Sequence, residues 1–162
     1  MTSKIIASAI AAVIGIAVVW GCVADPFGLR SPAYALRPDD ATTLALGERV
    51  YKAQCASCHG ADLEGQPDWR TRDAKGLLPA PPHDVSGHTW HHPDETLFRI
   101  TKYGAAKAAG MNDYVSSMPA YEGVLSDEEI IAVLSWIKSR WPASVRLRHD
   151  QMKAQSPSKG RR

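Results

Sequence analysis

Cys55-Ala56-Ser57-Cys58-His59-Gly60 is the run on which the reading of this chain turns. Two thiols at i and i+3 with an imidazole directly after the second make a CxxCH motif, the attachment signal for a covalently bound c-type haem. The thiols can add to the two vinyl groups of one porphyrin, and the adjacent ring then falls under the iron. Competing chemistries need partners that the sequence does not supply. A structural zinc site takes four ligands, usually with a second close Cys or His pair, yet the third cysteine, Cys22, stands alone. A thioredoxin-like CxxC sits in a βαβ unit, whereas here the flanks read as helix on one side and a Gly/Pro loop on the other. The motif therefore assigns Cys55 and Cys58 as covalent anchors and His59 as an axial ligand of the iron.

One histidine leaves the sixth iron position to be filled, and the filler separates an electron carrier from a ligand-binding or peroxidase-like site. Met118, in Ser116-Ser117-Met118-Pro119-Ala120-Tyr121, is the candidate: the proline fixes the local backbone, and a thioether ligand raises the potential. The competing reading of Met118 is a pliable core filler. Met111, after Gly110 in a polar stretch, is a weaker rival. His83, His88, His91 and His92 form a further cluster that invites a second metal site or a bis-histidine haem, against the plainer reading of a polar, hydrogen-bonded loop.

Periodicity points to an all-α domain. Leu46, Val50 and Ala53 recur at i, i+4 and i+7 on a helix ending near the thiols, with Asp40 or Thr43 as its cap. Pro93 opens a second helix, with Asp94 and Glu95 in its first turn, Leu97 and Ile100 at i and i+3, and Gly104 as its stop. Ser126 with Glu129 forms a capping box for a third, lined by Ile130, Val133, Leu134 and Ile137 and ended by Pro142. Between His59 and Pro93 the abundance of Gly, Pro and Asp predicts a long ordered loop around a haem edge.

These blocks resemble the class I His/Met monohaem c-type cytochromes of bacteria, over roughly Leu44 to Trp141. The likeness rests on Gly47-Glu48-Arg49-Val50-Tyr51 leading into CxxCH, on Met118-Pro119, and on Leu125-Ser126-Asp127-Glu128-Glu129-Ile130 opening the last helix. It implies a class I cytochrome c fold around one haem c, with the first and last helices crossing at Gly47 and Tyr51 against Leu134, Trp136 and Ile137. It also implies a proline carbonyl, from Pro79, Pro81 or Pro82, accepting from the axial histidine's other ring nitrogen, as metal-bound imidazoles generally need. Trp69, Arg70, Trp90 and Tyr103 become candidates for covering the haem edge or holding its propionates, although each reads equally well as an ordinary core or surface residue. The implied function is single-electron transfer, with no catalytic residue. Partners would be a quinol-oxidising complex, a dehydrogenase, or a terminal oxidase or reductase. The alternatives are a permanent haem subunit of a membrane oxidoreductase, and a five-coordinate ligand-binding or peroxidase-like haem.

Four segments are expected: 1–24 a transmembrane anchor or signal segment, 25–43 a tether, 44–145 the haem domain, and 146–162 a basic, disordered tail. Ile5 to Ala24 runs for twenty residues without a charge, enough to span a bilayer, and a signal peptide has the same form. The segment could be retained, cut before Cys22 at Val19-Trp20-Gly21-Cys22 with lipidation, or cut after Ala35; each ending exports the haem domain. The expected location is the bacterial inner membrane, haem domain on the periplasmic side. The net charge of +2 hides 11 basic and 15 acidic residues over 36–145, against 6 basic and 1 acidic over 146–162. The acidic side chains Asp62, Glu64, Asp68 and Asp73 would suit a basic protein partner. No basic groove with interleaved aromatics is present, which argues against nucleic-acid binding.

Overall fold

The computed structural model describes residues 34–111 and 114–155, with the side chains of 153–155 excepted. Six α-helices follow in order, with no strand among the described residues: α1 (Ala41–Gln54), α2 (Ala56–His59), α3 (Asp94–Tyr103), α4 (Ala105–Ala109), α5 (Asp127–Ser139) and α6 (Ala143–Gln155). A single 3-10 turn, Thr89–His91, precedes α3. The described domain is all-α, as expected.

Asp40 starts α1, its carboxylate accepting from the Thr43 amide at 2.7 Å. The buried face of α1 is Thr43, Gly47, Val50 and Tyr51; Gly47 and Tyr51 stand at the crossing as the resemblance implies, while of the periodic set Leu46, Val50 and Ala53 only Val50 is buried, Leu46 being half-buried and Ala53 exposed. The reason is the crossing with α5. A Cβ on Gly47 would lie 2.1 Å from the Ala132 carbonyl oxygen and 2.8 Å from Cβ of Trp136, so only hydrogen fits where the two backbones meet. That contact rotates the 43/47/50/51 face inward. Tyr51 is fully buried, its ring 4.7 Å from that of Trp136.

The α5 capping box is present in both directions, the Ser126 hydroxyl accepting from the Glu129 amide and the Glu129 carboxylate from the Ser126 amide. Ile130, Val133, Leu134 and Ile137 are all buried in the core with Val50, Tyr51, Leu97 and Phe98. In α3, Pro93 is the N-cap residue and Gly104, at φ 84°, the C-cap. Asp94 is buried, contrary to the usual solvated first-turn acid.

Two boundaries differ from expectation. The tether was expected to reach residue 43, but the ordered domain already includes 34–40: the Tyr34 ring packs 4.6 Å from Phe98, Leu36 is buried, and the Arg37 amide donates to the Ser135 hydroxyl at 2.9 Å. At the other end, Arg146 does not begin a free tail. Pro142 ends one helix only to open the next, and α6 runs to Gln155. It docks through His149, wholly buried, whose Nε2 donates to the His92 carbonyl at 3.0 Å. Apolar periodicity missed α6 because its anchor is polar. The Lys138 ammonium, 2% exposed, pairs with Asp150 of α6 and with Asp94.

Residues 1–33 lie outside the described residues. That includes the expected Ile5–Ala24 span, Cys22 and the first part of the tether. Among the described residues no helix is long and apolar enough to cross a membrane.

Candidate haem site

The motif sits where α1 breaks into α2. The Cys55 amide still bonds back to the Tyr51 carbonyl, and the Cys58 and His59 amides both donate to the Cys55 carbonyl, at 3.1 and 2.9 Å. A single helical turn thus carries both thiols and the imidazole. Gly60, at φ 82°, then turns the chain away, and a side chain there would collide with the Glu64 carboxylate. Both thiols are free, Cys55 half-buried and Cys58 exposed. Burial, with Cys58 alongside, pushes the Cys55 thiol up to about 11.

His59 is buried, with its Nδ1 2.8 Å from the Pro81 carbonyl oxygen. A carbonyl only accepts, so Nδ1 carries the proton and Nε2 keeps its lone pair. Burial lowers the His59 pKa, partly opposed by the Pro81 hydrogen bond. The neutral ring with an oriented Nε2 is the form that binds metals. Of the three prolines that the resemblance offered, Pro81 is the acceptor. Two free thiols one helical turn apart and a neutral imidazole with one nitrogen already satisfied fit covalent haem c.

The loop from Gly60 to His92 is ordered by its own backbone. Gly65 N bonds to His59 O, Gln66 N to Ala80 O and His83 N to Leu63 O, all within 2.8–2.9 Å. A Cβ on Gly87 would meet the Pro82 carbonyl at 2.0 Å. Trp141, just past α5, clips the loop by donating from Nε1 to the His83 carbonyl at 2.8 Å.

Met118 is half-buried, and its amide donates to the Ser116 hydroxyl at 3.1 Å. Just downstream, the Tyr121 hydroxyl donates to the Gln54 carbonyl at 2.8 Å, tying this segment to the last residue of α1 before Cys55. Chain geometry allows at most about 3.6 Å per residue, so Met118 stays within roughly 11 Å of Tyr121 along the backbone. Met111 is exposed, at 47%.

The histidine cluster disperses into ring contacts. His83 stacks on His59, centroids 3.9 Å apart. His88 stacks on Trp69 and meets the edge of His92. His91 stacks on Trp90 at 3.6 Å. Among the described residues no group of three or more His, Cys, Asp or Glu side chains is placed to hold a metal ion. Arg70 lies 4.0 Å over the Trp69 ring, and Tyr103 neighbours the ammonium groups of Lys102 and Lys107. These four candidates for the haem edge thus have local packing partners of their own. The His83 stack has one visible sign in the sequence, an aromatic ring two residues after the proline acceptor.

An all-helical domain closed on a CxxCH turn, with the histidine oriented by a proline carbonyl, is a c-type cytochrome. The chain belongs to the family described as cytochrome C oxidase, cbb3-type, subunit III, whose model matches residues 42–137. Membership carries covalently bound haem c and haem-based electron transfer. No curated protein and no solved structure matches the chain. The described α6 lies beyond the matched span.

Proposed function

We propose that the protein carries single electrons through one haem c, with Cys55 and Cys58 as thioether anchors and His59 and Met118 as axial ligands. The observation that carries the reading is the His59 Nδ1 to Pro81 carbonyl hydrogen bond at 2.8 Å, which leaves the lone pair of the other ring nitrogen available to an iron. When bound, the haem supplies a ferric/ferrous couple whose potential follows its axial ligands and surroundings. The residues do the rest. Pro81 holds the His59 tautomer, and Tyr121 tethers the Met118 segment to α1.

The proposed location is the bacterial inner membrane, with Ile5–Ala24 as an anchor and the haem domain on the periplasmic side. The support is the uncharged run itself, together with the attachment of c-type haems on the outer face of the membrane that the resemblance implies. Donors would be a quinol-oxidising complex or a dehydrogenase, and acceptors a terminal oxidase or reductase. The family description favours a second reading, in which the chain is a fixed subunit of an oxidase. Salt-sensitive exchange of electrons with separate partners supports the carrier, whereas recovery in one detergent-stable complex supports the subunit.

The deciding experiment is an optical spectrum of the protein made with a haem-attachment system. A weak far-red band of methionine sulfur on ferric haem, abolished by Met118→Ala, is the expected result. Absence of that band, with ready carbon monoxide uptake by the ferrous protein, would overturn the His/Met assignment and favour a five-coordinate haem.

A further inference from the structure

His83 lies face to face with His59, the ring centroids 3.9 Å apart and the planes 20° from parallel. Its own position is set from three sides. Its Nδ1 is 2.8 Å from the Thr89 hydroxyl, whose residue is buried and whose oxygen also reaches the Pro82 carbonyl at 3.5 Å. Its amide donates to the Leu63 carbonyl at 2.8 Å. Its carbonyl accepts from the indole of Trp141, 3% exposed. The Tyr51 ring meets it edge-on, at 6.4 Å and 67°. A histidine serving only as loop polarity would turn to solvent, as His88 and His91 do.

The contact complements the Pro81 hydrogen bond. One in-plane hydrogen bond fixes where Nδ1 of His59 points but resists rocking of the ring about that bond only weakly. A second ring held parallel at van der Waals distance opposes that rocking directly. Pro81 and His83 belong to one short stretch, so the same loop supplies both restraints.

We propose that His83 is a positioning residue that sets the plane of the axial His59 imidazole, and through it the orientation of the iron orbitals that receive the electron. The proposal rests on the reading of His59 as the iron ligand. The plane of an axial imidazole breaks the symmetry of a ferric haem, so with the opposite ligand unchanged a turn of that plane alters the order and spread of the haem methyl proton resonances.

The test uses the full-length ferric holoprotein with His83→Leu, which fills the space without a ring, and His83→Phe, which restores a ring without the Thr89 bond. Covalent haem content is measured alongside the methyl spectrum and the reduction potential. The expected result is a changed methyl order and a shifted potential in the leucine variant, with the wild-type order restored by phenylalanine. A leucine variant with full haem and wild-type order and potential would overturn the proposal, as would a phenylalanine variant displaced as far as the leucine one. Should the leucine variant load no haem, His83→Gln takes its place, since it keeps a polar partner for the Thr89 hydroxyl and removes the ring; an unchanged methyl order there also counts against the proposal. Failure of the underlying reading looks different. If His59 is not the ligand, the wild-type protein itself lacks strongly shifted His59 ring signals before any variant is compared.

Discussion

Single atoms set the precision of this site. The Tyr121 hydroxyl, on a residue 7% exposed, donates a hydrogen bond that joins the Met118 segment to the end of α1. Tyr121→Phe removes the donor and leaves the Gln54 carbonyl without it, a loss of about 1 kcal/mol. Chemical denaturation of the holoprotein should show a lower midpoint with an unchanged slope, and the far-red methionine band should weaken at a temperature below the unfolding transition. A band as heat-stable as in wild type would mean that Met118 is held by other contacts. Gly47 is a sharper case. Because its missing Cβ would stand 2.1 Å from the Ala132 carbonyl oxygen, Gly47→Ala pushes backbone against backbone. The expected cost exceeds the usual ~1–3 kcal/mol of an overpacked core, read as a fall in unfolding free energy.

At the scale of elements, α6 is held by charge and hydrogen bonds rather than by an apolar stripe. His149 is buried against Trp141 on the same side as Lys138 and Asp94, with Asp150 next to it and the His92 carbonyl on its Nε2. Burial lowers its pKa, the Lys138 ammonium adds to the effect, and Asp94, the His92 hydrogen bond and Asp150 oppose it. An unfolded histidine titrates near ~6.5. With a lower folded value, the unfolded chain binds the extra proton first, so the His149 contribution is complete above ~6.5 and is lost as pH falls below it. His149→Gln keeps a donor for the His92 carbonyl and cannot titrate. Its unfolding midpoint should therefore depend less steeply on pH between 7 and 5 than that of the wild type; equal slopes would show that a neutral His149 does not hold α6. The same cluster explains why α6 escaped a reading by periodicity. Arg146, Arg148 and Asp150 read as a solvated run in one dimension, and nothing in their spacing shows that Asp150 meets a buried lysine of α5 that also pairs with the aspartate at the start of α3.

The described residues form a small helical domain in which the cofactor's attachment turn joins α1 to a long loop. A domain of about 100 residues has little core to spare, and haem should complete it. Cys55→Ala with Cys58→Ala is expected to lose the near-ultraviolet circular dichroism of packed aromatics; a native-like spectrum in that double variant would show a domain stable without its haem. Much of this architecture was legible from local patterns. CxxCH, the Ser126/Glu129 capping box, the Gly104 stop and the α5 apolar face each depend on residues a few positions apart, and each was found where it was expected. Those patterns work because helix periodicity, capping and haem attachment are short-range in the chain. The choice of Pro81 among three prolines, the His83 ring over His59 and the polar dock of α6 were not legible in that way. Each joins residues far apart in sequence, and their energies depend on which surfaces meet once the chain is packed. The chemistry of the site was therefore written in neighbouring residues, while its orientation was settled by groups that become neighbours only through folding.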